Sequence, residues 1–203
     1  MSKYGHRPHN WFEAIVNKLG GEERAEAFLR GEFLISKSTR SWREEGDVIY
    51  FSVISDGTTG EGWIHCLESK GFSVMSNDAK QMLCSPNFRP TSGVTIKVAI
   101  LRGTFFKDED RITRNIRAEA DRRKLSKPNA ELACLIRKNF TNEEIEAMGL
   151  WGIVAMHEPI CNFRGDPYLL RVNRCEEDGD LDRVGGESAR SWGNDRGFAF
   201  VVA

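Results

Sequence analysis

"GVTIKVAILRGTFF", residues 93–106, is the stretch on which the fold turns. Val94, Ile96, Val98 and Ile100 alternate against Thr95 and Lys97, the period of two that a strand shows when one side meets a core. Upstream, "DVIYFSVIS" (47–55) is rich in β-branched and aromatic residues and apolar on both sides, which predicts a buried strand. Downstream, the near-continuous apolar run "LWGIVAM" (150–156) and the terminal "FAFVV" (198–202) read the same way. A sheet containing 48–55, 94–102, 151–157 and 197–202 is therefore expected.

The segments between these strands read mostly as short helices. "HNWFEAIVNKLGGEERAEAFLRGEF" predicts two, with Asn10 as the first cap, Trp11, Ile15 and Leu19 on one side, and Gly20-Gly21 as the break. "SKSTRSWREEGD" (36–47) is a polar connector. Thr58 and Glu61 have capping-box spacing, Trp63, Ile64 and Leu67 form a helical stripe, and Gly71 ends it before a short strand "FSV". "NDAKQMLCS" is a further helix. "DEDRITRNIRAEADRRKL" is helical with acids first and bases last, as the helix dipole favours. Pro128 opens "PNAELACLIRKNF", and Thr141 with Glu144 is a second capping box. "YLLRV" is a strand near the C-terminus, where the last forty or so residues look mostly β. Without a steady βα alternation the class is α+β: a single domain over 1–203, with a mixed sheet of about four to six strands flanked by short helices and a β-rich portion over 160–203.

Composition excludes several partners. With 29 basic and 30 acidic residues the net charge is −1, so no global field draws the chain to nucleic acid or membrane, and such a role needs a local patch. No apolar run is long enough to span a bilayer, and the N-terminus lacks a signal-peptide core. Five cysteines without a CxxC pair suit a reducing compartment, so a cytoplasmic protein without a membrane partner is expected.

Three segments carry chemistry-bearing residues. "AMHEPICNFRGDPYLL" (155–170) follows an apolar run with His157, Glu158, Arg164 and Asp166 at a strand's C-terminal end, a common place for binding groups. His157 is the candidate acid/base there, partnered by Glu158 or Asp166, with Arg164 as an anion contact. "HEPIC" departs from HExxH because Cys161 replaces the second histidine and Pro159 interrupts a helix, and His65-Cys66 is poor spacing for a zinc site with His157 and Cys161. No metal is assigned and no motif names a cofactor. "SDGTTGEGW" places Asp56 and Thr58 between strand and helix, where backbone N–H groups could cradle an anion, although the P-loop ending is missing. Residues 111–127, "RITRNIRAEADRRKLSK", hold seven bases against two acids; Arg111, Arg114 and Arg117 recur at helical spacing and are the candidate surface for an anionic ligand or nucleic acid. No aromatic residue interleaves with them. "EEDGDLD" fails as an EF-hand because Arg183 and Ala189 stand where its glycine and glutamate belong, and Ser92 and Ser191 lack nucleophile-elbow context.

On "NWFEAIVNKLGG", "SDGTTG", "PNAELACLIRKNF", "AMHEPI", "GDPYLL" and "GFAFVV", the chain resembles an uncharacterised family of bacterial proteins over nearly its whole length. That resemblance implies no activity, substrate or site residue. The tail "RSWGNDRGFAFVV" (190–202) resembles the closing strand of C-type-lectin-like domains, from which the helical first half departs. The leading expectation is a binding or interaction protein without catalysis. The alternative is a hydrolase or transferase on a phosphorylated or nucleotide-like substrate, with His157 as acid/base.

Overall fold

The computed structural model describes residues 9–19, 21–32, 40–162, 164–174 and 180–202. The chain divides into two compact units, 1–40 and 41–203. The first carries helices α1 (His9–Leu19) and α2 (Glu22–Leu29), which contact each other and bring no described side chain to full burial. The cap expected at Asn10 lies outside the described side chains, as does the acidic turn at 175–179.

The second unit is built on one mixed sheet of ten strands among the described residues, more than the four to six expected. In chain order these are β1 (Trp42–Glu45), β2 (Val48–Asp56), β3 (Ser73–Val74), β4 (Ser92–Arg102), β5 (Leu125–Ser126), β6 (Gly152–Ala155), β7 (Ile160–Cys161), β8 (Pro167–Asn173), β9 (Asp180–Gly185) and β10 (Arg196–Val202). Their spatial order is β1-β2-β4-β10-β6-β8-β9-β3, with β5 pairing β10 and β7 pairing β8. The strand count exceeds the expectation because several strands are two to four residues long, too short to show a period. One is β1, inside the stretch read as a polar connector. Its antiparallel register with β2 runs to Glu45↔Val48, closed by a two-residue turn with Gly46 at φ +58°. Of the tail 190–202, Arg196–Val202 form β10, antiparallel to β4 and parallel to β6 at the middle of the sheet.

Strand alternation sorts the core into two layers. Ile49, Phe51, Val53, Val98, Ile100, Ile153, Ala155, Leu170 and Val172 meet residues of α3 (Gly60–Ser69), α4 (Asn77–Leu83), α6 (Glu131–Asn139) and α7 (Asn142–Ala147). Val48, Ala99, Leu101, Val154, Met156, Leu169, Phe198 and Phe200 meet Ile116 and Ala120 of α5 (Thr113–Arg122), together with Phe106. We call this second side the α5 side. Both sides of the central strands are covered, which is why "LWGIVAM" and "FAFVV" lack an exposed polar register.

Local chemistry fixes the helix ends. Thr141 accepts from the Glu144 N–H while the Glu144 carboxylate accepts from the Thr141 N–H, completing the capping box that starts α7. At α3 the cap is Thr59, one residue beyond the expected Thr58, and its hydroxyl accepts from the Gly62 N–H. A Cβ on Gly60 would lie 1.8 Å from the Leu83 carbonyl oxygen, so only glycine allows α3 to start against the end of α4. Helix α6 is almost wholly buried, and Arg137 within it is fully enclosed. Its guanidinium donates to the Asn142 side chain (3.0 Å) and to the carbonyls of Asn173 (3.3 Å) and Phe140, and stacks on Phe72 at 4.2 Å. Burial lowers its pKa to about 10, which leaves it charged at neutral pH. No helix among the described residues is long and apolar enough to cross a membrane.

Candidate functional site

Pairing beside β10 continues past β6, with the Met156 N–H donating to the Ala199 carbonyl (3.1 Å), and His157 follows, 1% exposed. The Leu170 N–H can only donate, so Nε2 of His157 is the acceptor of their 3.0 Å bond and carries no proton. Nδ1 then holds the proton and donates it to the Glu158 carbonyl at 2.6 Å. Burial pushes the pKa of the ring down to about 4, so it is neutral at physiological pH. Both nitrogens are committed to backbone, and the ring takes the place of a strand carbonyl in front of β8.

Glu158 turns outward, pairing with Lys127 and lying 3.8 Å from Arg117. The hydrogen bond from Lys127 lowers its pKa. Arg117 also donates to the His157 carbonyl at 2.9 Å. The strand end and the basic helix, read separately in the sequence, are thus one surface.

Asp166 and Arg164 belong to a different arrangement, the turn from β7 to β8. Asn162 Oδ1 accepts from the Arg164 N–H (2.8 Å) and the Asp166 N–H (3.0 Å), while its Nδ2 donates to the Asp166 carboxylate (3.0 Å). Gly165 completes the turn at φ +85°. The contacts of Asp166 pin this turn, and those of the His157 ring lie with Glu158 and Leu170. Cys161 is an exposed free thiol, and among the described residues no three His, Cys, Asp or Glu side chains group to hold a metal.

In the loop from β2 to α3, Asp56 Oδ1 accepts from the Thr58 hydroxyl (2.5 Å) and N–H (3.2 Å), and Oδ2 accepts from Lys138 (2.7 Å). Lys138 and Thr58 together hold the Asp56 carboxyl down at about 2. Its charge and the Thr58 donors satisfy each other, so the loop presents a neutralised carboxylate where an anion cradle was expected.

On the basic segment, Arg111 does not join a nucleic-acid surface. It is 6% exposed, precedes α5, and donates to the carbonyls of Gly103 and Phe106 (2.8 Å each) and to Asp108 (2.8 Å). Arg117 is committed to the strand end, and Arg114 is exposed. One helical period on, Ala118 and Arg122 share the side of Arg114. The buried carboxylate of Glu119 pairs with Arg122 and with Arg123 (2.6 Å). Beside this helix lies an open groove of about 430 Å³ whose lining includes Phe105, Lys107, Asp110, Asn115, Ala118 and Arg122. Phe105 is 40% exposed, edge-on to Phe106 at 5.1 Å, and the Arg123 guanidinium sits 4.7 Å from its ring centre. The basic segment thus has an aromatic partner after all. It comes from eighteen positions upstream of Arg123, at the end of the run that reads as a strand, where no scan of the basic segment would find it.

No family model matches the chain, and neither does any curated protein or solved structure.

Proposed function

We propose that this is a cytoplasmic binding protein without catalysis, and that its ligand is a flexible polyanion, single-stranded nucleic acid, lying along α5. The observation that carries the reading is the Phe105 ring, exposed in a groove with Arg123 stacked on it and Lys107 and Arg122 on the walls. An aromatic ring accepts any base by stacking and basic side chains meet the phosphates, which gives affinity without sequence preference. The hydrolase or transferase alternative requires His157 to exchange a proton. Its buried, doubly bonded, neutral ring argues against that role.

The test is fluorescence anisotropy with a labelled oligothymidylate of about 12 nucleotides. Binding is expected to weaken steeply between about 50 and about 200 mM salt as counterion release diminishes. Phe105→Ala is expected to cost about 1–3 kcal/mol of affinity, the range for one base–aromatic stack. Affinity indifferent to salt, or unchanged in Phe105→Ala, refutes the proposal.

A further inference from the structure

Pairing along β4 stops on one edge before it stops on the other. Toward β10 the last pair in register is Val98↔Val201, whereas toward β2 the pairing continues through Ser52↔Lys97, Val53↔Ile96 and Ile54↔Thr95. Residues 94–97 therefore turn one edge to a space that no described strand fills, a length of about 13 Å at the ordinary rise of a strand. Alternate residues of a strand direct their N–H and C=O groups to the same edge, so this edge carries main-chain groups without a ladder partner.

The space is a slot of about 440 Å³. Val94–Lys97 line it on one side, residues 126–129 on another, and the end of β10 meets it at Val201 and Val202. Its walls come from both layers of the core: Ile96 and Leu132 pack in the layer of α6, and Val202 packs in the layer of Phe198. Thr95 and Lys97, alternating with Ile96, line the same slot. A cavity lined from both sides of one strand lies in the plane of the sheet, where a further strand would run.

The two sides of the slot differ in chemistry. The side of α6 presents Val94, which is 46% exposed, with Ile96 and Leu132. The α5 side presents Thr95 and the exposed Lys97, which has no carboxylate partner among the described residues. No carboxylate is among the lining residues. Lys127 is already paired with Glu158, and Glu131 stands behind Thr91, fully buried, accepting its N–H (2.8 Å) and its hydroxyl (2.9 Å). Asn129 donates to the Arg89 carbonyl at 3.2 Å, while its Oδ1 is buried without a donor. An open strand edge, an unpaired cation and an unmet acceptor thus share one slot.

We infer that residues 94–97 of β4 receive an extended peptide as an added strand, one in which apolar residues alternate with acidic ones. Side chains of a strand point alternately to its two sides, so such a peptide sets its apolar residues against Ile96 and Leu132 and its carboxylates beside Lys97. Its main chain pairs with the edge of β4, and its N–H groups offer Asn129 Oδ1 a donor. A wholly apolar strand leaves Lys97 unmet, and a basic one is repelled by it. The inference does not rest on the α5 groove. The oligonucleotide assay reads Phe105 and the peptide assay reads Lys97, so each can fail alone.

The experiment is fluorescence anisotropy of the full chain with a labelled peptide of about six residues, alternating valine and glutamate. Saturable binding is expected, with a valine–lysine peptide of the same length about tenfold weaker. Lys97→Glu, a change on an exposed side chain, is expected to exchange the two preferences. N-methylation of the valine–glutamate peptide keeps its side chains, removes its donors and is expected to abolish binding. Oligothymidylate is expected not to displace the peptide; displacement would place the peptide in the α5 groove and overturn the inference. Equal binding of the N-methylated peptide, or unchanged preference in Lys97→Glu, overturns it as well. So does saturable binding of octanoate where neither peptide binds, which would assign the slot to a small amphipathic acid. A dimer in light scattering that Lys97→Glu dissociates would show a second copy in the slot and likewise overturn the peptide reading.

Discussion

Replacing His157 with glutamine tests whether this residue is architecture. Glutamine places an amide oxygen near the position of Nε2, so the Leu170 N–H keeps an acceptor, but it cannot take up a proton. The wild-type ring has a folded pKa of about 4 against an ordinary value of 6.5. A histidine depressed in this way contributes stability that is complete above pH 6.5 and is lost as the pH falls through its folded pKa, because the unfolded chain binds the proton first. At about pH 5 the unfolded ring is almost fully charged and the folded ring almost fully neutral, a difference of roughly 1.5 pKa units or about 2 kcal/mol. The shift at Asp56 acts at lower pH, because its carboxyl titrates from 3.8 downward. Urea unfolding followed by tryptophan fluorescence, at about pH 7.5 and about pH 5, gives both stabilities. The wild type is expected to lose about 2 kcal/mol more than His157→Gln over that interval. Equal losses would show that the ring is solvated and able to exchange protons, and would reopen the catalytic reading.

Other variants test the frame around it. Gly60→Ala forces the end of α4 away from the start of α3, since the obstructing atom is a backbone carbonyl, and is expected to cost more than about 3 kcal/mol in chemical denaturation. Arg137→Met leaves Asp180 and the Asn173 and Phe140 carbonyls without their buried cation, with an expected loss of about 3–5 kcal/mol. Thr141→Ala removes one half of a capping box at an exposed helix start and is expected to cost about 1 kcal/mol, a few degrees in thermal midpoint.

What could be read from sequence depended on how far each signal extends along the chain. The long runs ending in Ile54, Arg102, Ala155 and Val202 declare their strands because β-branched and aromatic residues recur along each, with both sides buried in β6 and the centre of β10 and solvent reached along parts of β2 and β4. The Thr141–Glu144 box is self-contained within four residues and is legible too. Strand β1 is not, because in "WREE" only Trp42 is apolar and its partner in register, Phe51, is nine positions away. The pairing of Arg123 with Phe105, and that of Arg117 with the His157 carbonyl, are products of tertiary packing and leave no periodic trace. His157 shows the opposite hazard. A histidine beside a glutamate at a strand end looks like chemistry in one dimension, and only the Leu170 N–H, thirteen residues later, reveals that its lone pair is already taken. Arg111 misleads similarly, since helical spacing with Arg114 and Arg117 says nothing about the three backbone carbonyls, Gly103, Phe106 and Trp192, that wait for it.

The strand that joins the two halves of the sheet, β10, comes after the other nine described strands in chain order. Until residues 196–202 leave the ribosome, β1-β2-β4 and β6-β8-β9-β3 are separate ribbons, each with an open edge where β10 belongs. The exposed edge of β4 then carries "VAILR", a sticky template for any neighbouring chain. Loss of these few residues would therefore produce aggregation rather than a smaller folded protein.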